Sequence, residues 1–210
     1  NGEAGQVLPK VERRVSWAKH GAAPAGESLV IPGAAVNGAL AHRIAFHANR
    51  MRGEPVWADD VENANLLADY DKSEHCEAVR ELFGYANDSS GDELLGQVGR
   101  VIIDDSYRTF SQQDLQKLTH NSIDRFSGSA RDHMLFCEEM VWGGGIEIKL
   151  TIHTHEGISQ LARDALQAAL DDLLKGQLAL GAGSAKGHGY FSGSIKWSTG
   201  AEKWLQGESA

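Results

Sequence analysis

Residues Leu178–Phe191, LALGAGSAKGHGYF, place four glycines (Gly181, Gly183, Gly187 and Gly189) around Ser184, Lys186 and His188. Glycine loses more backbone freedom on ordering than any other residue, so neither a helix nor a strand interior favours it at this density. The stretch is therefore a connection. It also fixes its flanks, an amphipathic helix before it and a last strand after it. Without a Cβ, glycine lets backbone N–H groups approach a ligand, and successive N–H groups in such a turn can form an anion-binding concavity. Lys186 adds positive charge, and phosphate, free or in a nucleic-acid backbone, is the natural guest. The spacing matches neither GxGxxG nor GxxxxGK[ST], both of which follow a strand and open a helix. Taken alone, the plainer reading is a helix-to-strand connection.

The flanking helix is written clearly in the chain. Ile158, Ala162, Ala165, Ala169 and Leu173 recur at helical spacing over Ile158–Lys175, supported by Leu161 and Leu166, and Gly176 ends the run. A second helix is expected from Ala34 to about Met51, with Val36, Leu40, Ile44, His47 and Met51 as its buried stripe. Arg43 and Arg50 lie on one edge of that stripe and Asn37 on the other. His42 and His47 have no partners at metal-site spacing. Strands are expected near Val11–Trp17, over Gly99–Asp105 and Ile146–Ile152, and from Phe191 to Trp197, where apolar and polar residues alternate or an apolar run is short. Gly21–Gly26, with Pro24, reads as a loop.

Two segments interrupt this pattern. Residues 53–96 read as a helical acidic insertion, with helices over Asp59–Tyr70 and Ser73–Phe83, the second capped by Gly84. Residues 119–145 read as a long hairpin whose tip is Ser127-Gly128-Ser129, flanked by Arg125, Phe126 and Arg131. Guanidinium and aromatic faces both stack on bases, so this tip suits nucleic acid as well as it suits an ordinary exposed hairpin.

The net charge of −9 argues against indiscriminate nucleic-acid binding. Much of it sits in the insertion, where Asp59, Asp60, Glu62, Asp69, Asp71, Glu74, Glu77 and Glu81 crowd together, so a local basic track remains compatible with the total. Cys76 and Cys137 lie far apart, which suits a reducing compartment and makes a disulfide unexpected. No run has the length of a membrane span. With the insertion and hairpin set aside, the element order is a split β-α-β arrangement of the ferredoxin-like kind, an α+β fold in a single domain over 1–210. That architecture hosts many functions and decides none of them.

Five segments, in order, resemble the RAMP superfamily of CRISPR-associated proteins. Ile31-Pro32-Gly33-Ala34-Ala35-Val36-Asn37-Gly38-Ala39-Leu40 is similar to its "IPGSSLKGxLR" signature, Leu82-Phe83-Gly84 to its "LFG", and Gly99-Arg100-Val101 with Asp104 to its "GRVxxxD" strand. Ile123-Asp124-Arg125-Phe126-Ser127-Gly128-Ser129-Ala130 resembles the "IDRxTGxA" hairpin of type III backbone subunits. Leu180–Gly189 resembles the closing "lGxGxxxGxG" loop. Asn37 stands where the signature has lysine, which weakens one expected backbone contact. Ser127-Gly128-Ser129 replaces "TGG", and the family's first strand would precede the loop where this sequence begins.

The resemblance implies an RRM-like core and a subunit that stacks with other RAMP subunits along a CRISPR guide RNA in a multi-subunit effector complex. Asn37, Arg43, Arg50, Gly181, Gly183, Ser184, Lys186, Gly187, His188 and Gly189 would line the guide path. Arg125, Phe126 and Arg131 would sit on a thumb that displaces a base pair between guide and complementary target RNA. Phosphate contacts would give affinity without reading sequence, and base pairing would supply specificity. The expected location is the cytoplasm of a prokaryotic cell, with no membrane partner. Members of the family that cut bound target RNA use an aspartate after the first strand with a divalent metal. Here Glu3 is the acid nearest that loop, with Glu12 behind it, so this metal-dependent endoribonuclease activity would fall to Glu3 with Mg²⁺. The resemblance supports binding more directly than cutting, and it implies no tightly bound cofactor and no structural metal. Two alternatives stay open on sequence alone. One is a metal-independent ribonuclease processing the CRISPR transcript through His20 or His42. The other is a non-catalytic capping subunit docking proteins through its acidic insertion.

Overall fold

The computed structural model describes residues 8–53, 76–85, 96–154, 157–198 and 200–207. They fall into two compact units, which the chain enters in turn: Asn1–Pro32 with Asp105–Ile148, and Gly33–Asp104 with Lys149–Ala210.

The larger unit is built on two helices. Helix α1 spans Gly33–Arg52 and buries Val36, Leu40, Ile44, His47 and Ala48. Met51 is exposed instead of closing that stripe, and Ala48, one turn after Ile44, takes the buried position. Helix α2, Glu77–Phe83, and helix α3, Gln160–Leu174, pack against α1 and each other. Leu40, Ile44, Leu82 and Leu166 are completely enclosed, and helices with this apolar patterning draw most of their stability from such packing. Ser159 caps α3 by accepting the Ala162 N–H at 3.2 Å. Glu81 of α2 in turn accepts both the N–H and the hydroxyl of Ser159 at 2.8 Å, so one acid ties two helices together.

Strands β3 (Gly84–Tyr85) and β4 (Gln97–Val98) pair after α2, and β5 (Val101–Ile103) pairs antiparallel with β9 (Leu150–Ile152). β10 (Lys175–Ala179) pairs with β11 (Tyr190–Ser192), and a short helix α4 (Ala201–Leu205) buries Trp204 and Leu205. The ladders are shorter than alternation predicts. Ile146–Ile148 lies outside β9, and residues 193–197 lie outside β11. The start of α1 lies against β5: a Cβ on Gly33 would overlap the Ile103 carbonyl oxygen, which is why the Ile-Pro-Gly signature needs glycine there.

In the smaller unit, β1 (Val11–Ala18), β2 (Gly21–Ile31) and β6 (Ser106–Thr109) form an antiparallel sheet in the order β1-β2-β6. The loop expected at Gly21–Gly26 is the first half of β2. Pro24 is accommodated because β6 reaches only Ser28–Ile31 and because the β1–β2 register shifts between Arg13 and Val15. β7 (Leu115–His120) and β8 (Phe136–Val141) make a second hairpin, beginning four residues before Thr119. Its base is held by the Trp142 N–H donating to the Asp114 carbonyl at 2.7 Å and by Arg108 donating to the Gly143 carbonyl. Of the acidic insertion, the Asp59–Tyr70 helix lies outside the described residues, and α2 begins at Glu77 rather than Ser73.

Candidate nucleic-acid interface

The glycine-rich stretch does not follow a helix. Strand β10 intervenes after α3, so residues 180–189 join two antiparallel strands, and the expected helix-to-strand connection is a hairpin loop. Periodicity hides this strand because Lys175–Ala179 is too short to show an alternation. Within the loop, Ser184–Lys186 form a single 3-10 turn bracketed by Gly183 and Gly187, whose φ of 83° and 84° are left-handed. The Lys186 N–H donates to the Gly183 carbonyl at 2.8 Å, and the Gly187 N–H to Ser184 at 3.0 Å. The His188 N–H also donates to Gly183, at 3.2 Å. These three amides point into the turn, so they do not form the outward anion concavity that the glycines suggested. What the loop offers a phosphate is its exposed Ser184 and Lys186 side chains, with Gly181 and Gly187 exposed beside them. His188 is half-buried, its ring over Gly183. At Gly189, with φ 76°, a Cβ would overlap the Leu180 carbonyl oxygen; the Leu180 N–H donates to the Gly189 carbonyl at 2.9 Å across the loop's neck.

Helix α1 places its three candidate residues differently. Asn37 is half-buried in the second turn, and Arg50 is exposed in the last. Arg43 is turned into the unit. Its Nε donates to Asp172 Oδ2 at 2.5 Å, its Nη2 donates to the Gln177 carbonyl in β10 at 3.3 Å, and its guanidinium sits over the Phe46 ring. His47 Nε2 lies 2.7 Å from the same carboxylate oxygen; since an ionised carboxylate only accepts, the ring nitrogen is the donor. Arg43 thus joins α1 to α3 and to the strand that feeds the glycine loop. The partner Asp172 was legible: it follows Ala165 by seven and Ala169 by three on the apolar stripe of α3, so an acid there must be buried and paired.

In the smaller unit, the tip of the β7–β8 hairpin is folded by one side chain. Asp124 Oδ1 accepts the Phe126 and Ser127 N–H groups at 2.9 Å and the Ser127 hydroxyl at 3.2 Å. The Asp124 N–H donates to the Ser129 carbonyl, and the Gly128 N–H donates to the Asp124 carbonyl, both at 2.9 Å. Ile123 and Ala130 close the turn as an antiparallel bridge. The Ser127 and Phe126 amides, with the Ser127 hydroxyl, outweigh desolvation and hold the Asp124 carboxyl below the ordinary aspartate range. The turn leaves Phe126 fully exposed, with Arg125 and Arg131 exposed on either side. An Asp124→Ala chain is expected to keep the β7–β8 ladder while amide hydrogen exchange at Phe126 and Ser127 speeds up about tenfold; unchanged exchange there would show that the tip holds its shape without the carboxylate.

Among the described residues, no group of three or more His, Cys, Asp or Glu is placed to hold a metal ion. Glu3 lies outside the described residues.

The sequence profile of the RAMP superfamily matches residues 20–192. The chain belongs to the RAMP superfamily. This RAMP chain is also similar in fold to a solved chain described as "Type IV-B CRISPR Complex", at a TM-score of 0.51 and 14% identity, covering 94% of this chain and 89% of the other. At that identity the likeness concerns the fold. No curated protein matches the sequence. No described helix of this RAMP protein is long and apolar enough to cross a membrane.

Proposed function

We propose that this RAMP protein is a backbone subunit of a multi-subunit CRISPR effector complex that holds the guide RNA and engages complementary target RNA. The observation that carries the reading is the β7–β8 tip, a hydrogen-bonded turn that presents a fully exposed phenylalanine between two exposed arginines. An aromatic ring held out this way has no role in the unit's own packing, and it is suited to wedge or stack against bases. This is the thumb of the proposal, and its "IDR…G…A" sequence favours the type III kind of complex. The fold likeness to a type IV-B complex chain supports the same role within a CRISPR assembly. In this reading β5, β9, β10 and β11 with α1 and α3 make up the RRM-like core. The exposed Lys186 and Ser184 with Asn37 and Arg50 contact guide phosphates, and Arg43 holds α1 against β10. A cytoplasmic location in a prokaryotic cell goes with it.

The test is to purify the protein with its genomic neighbours and sequence the RNA that accompanies it. Short RNAs sharing a repeat-derived tag are expected, and random or absent RNA would remove the reading. With guide bound, shortening Arg125–Arg131 is expected to leave guide retention within about twofold while changing target engagement, as a group that contacts the paired region and not the guide backbone would. Loss of all guide on that deletion would show that the hairpin is not a thumb. Adding Mg²⁺ and a complementary target to the same preparation reads cutting directly.

A further inference from the structure

The β1–β2 ribbon carries a second aromatic and basic surface, on residues the family motifs do not include. Beyond Ser28, where β6 stops pairing, the ribbon continues as two strands alone to a two-residue turn at Lys19 and His20. Val11, Val15 and Trp17 share one face, and their exposure rises toward the tip, 38%, 58% and 83%. Opposite Trp17 stands Ala22, too small to cover an indole. The other face is satisfied within the unit: Arg14 stacks over the Tyr107 ring at 4.3 Å, and the Tyr107 hydroxyl lies 3.5 Å from Glu12.

Charge decides what the open face suits. Lys10–Glu27 holds four Lys and Arg residues, Lys10, Arg13, Arg14 and Lys19, against two acids, in a chain of net charge −9. The ribbon's two acids already have partners: Glu12 lies 3.6 Å from Lys10, and Glu27 lies 3.3 Å from Arg13. Lys19 and His20 at the turn are exposed and have no acidic partner among the described residues. An acidic or purely apolar protein surface would leave either the indole or the cations without use. A single strand of RNA uses both, since its bases stack on an exposed ring and its phosphates pair with flanking cations. The β7–β8 tip independently shows the same combination of residues, an exposed aromatic between cations.

We infer that the β1–β2 ribbon is a second single-stranded RNA contact of this protein, with Trp17 as the stacking platform and Lys19 and His20 as its phosphate contacts. The inference rests on the RNA-binding reading above but on different residues, so the two can fail separately. The experiment measures the affinity of the full chain for a short single-stranded oligouridine across a salt series, for the parent and for Trp17→Ala, Trp17→Phe, Lys19→Ala and Lys186→Ala. Trp17→Ala is expected to weaken binding about tenfold and Trp17→Phe less than about threefold, because phenylalanine keeps a stacking face. Lys19→Ala is expected to lower the slope of log affinity against log salt by about 0.7. Because Trp17 is exposed, the thermal melts of these variants should overlay the parent's.

If Trp17→Ala and Lys19→Ala bind as the parent does while Lys186→Ala weakens binding, the ribbon is not an RNA contact and the guide path stands. If the ribbon variants weaken binding while Lys186→Ala does not, the ribbon stands and the glycine-loop path falls. A parent chain that binds no oligouridine removes both. If Trp17→Ala instead abolishes self-association in sedimentation with affinity unchanged, the ribbon is a protein-docking face and the inference is overturned.

Discussion

Replacing Asp172 with alanine is expected to lower the stability of this protein by about 3 kcal/mol. The carboxylate is nearly enclosed, with a side-chain exposure of 13%, and it is the shared acceptor for Arg43 and His47. Removing it strands the Arg43 Nε–H and the His47 Nε2–H between α1 and α3 without their acceptor and leaves the guanidinium only the Gln177 carbonyl, and unmatched buried charge is among the costliest single defects. The neighbouring Asp171 is the control. It pairs with Lys175 at 3.0 Å on the open side of α3, so Asp171→Ala should cost no more than about 0.5 kcal/mol. Urea unfolding of the two variants beside the parent measures both, and equal losses would show that the Arg43–Asp172–His47 cluster carries no special weight.

The same cluster gives an acid-side pH dependence. Burial raises the Asp172 carboxyl, but hydrogen bonds from His47 and Arg43, together with their charges, outweigh it and leave the group below the ordinary aspartate value. A depressed carboxyl stabilises the folded state fully above the unfolded value of about 3.9, and that contribution is lost as pH falls through the lower folded value. Stability of the parent should therefore fall below about pH 4 more steeply than that of Asp172→Asn. Parallel acid profiles would assign the acid sensitivity elsewhere.

Gly189→Ala is the second large effect, with an expected cost of at least about 2 kcal/mol and, under the proposed guide-holding role, loss of most guide affinity. The position has φ 76°, and its missing Cβ faces the Leu180 carbonyl oxygen, a backbone atom that cannot rotate away. The Leu180–Gly189 backbone hydrogen bond closes the neck of the loop, so displacing either residue opens the β10–β11 connection and releases the Ser184–Lys186 turn. Alanine at Gly181 is the comparison: its Cβ would meet nothing within 4 Å, and only the left-handed φ of 85° opposes it. Gly189→Ala should therefore be the more damaging of the two in both thermal unfolding and guide retention. If Gly181→Ala is equally damaging, backbone conformation matters there and the close approach does not.

How much of this was legible follows from how far apart in the chain each interaction reaches. Helices α1 and α3 were readable to within two residues at each end, because helical periodicity and the glycine that ends a run are both local. The hairpin tip was readable as a basic and aromatic turn, and an Asp three residues before Ser127 is itself the signature of the side-chain-capped turn that holds it. Strand β10 and the first half of β2 were not readable. One is too short to alternate, and the other carries Pro24 and small residues that in isolation signal a loop; both become strands only because a partner supplies the ladder.

Arg43 marks the limit most clearly. On helix spacing alone it is an edge arginine like Arg50, and both were expected on the RNA path. The chain brings Asp172 to it from 129 residues away, and that acid turns one arginine inward while the other remains in solvent. Sequence by itself determined helices α1 and α3, the glycine and hairpin signatures and, through them, membership of the RAMP superfamily, because each is encoded by neighbours in the chain. Only the tertiary structure decided which cations face outward, where the loop's amides point and that Trp17 stands uncovered, because those depend on what distant segments place against each residue.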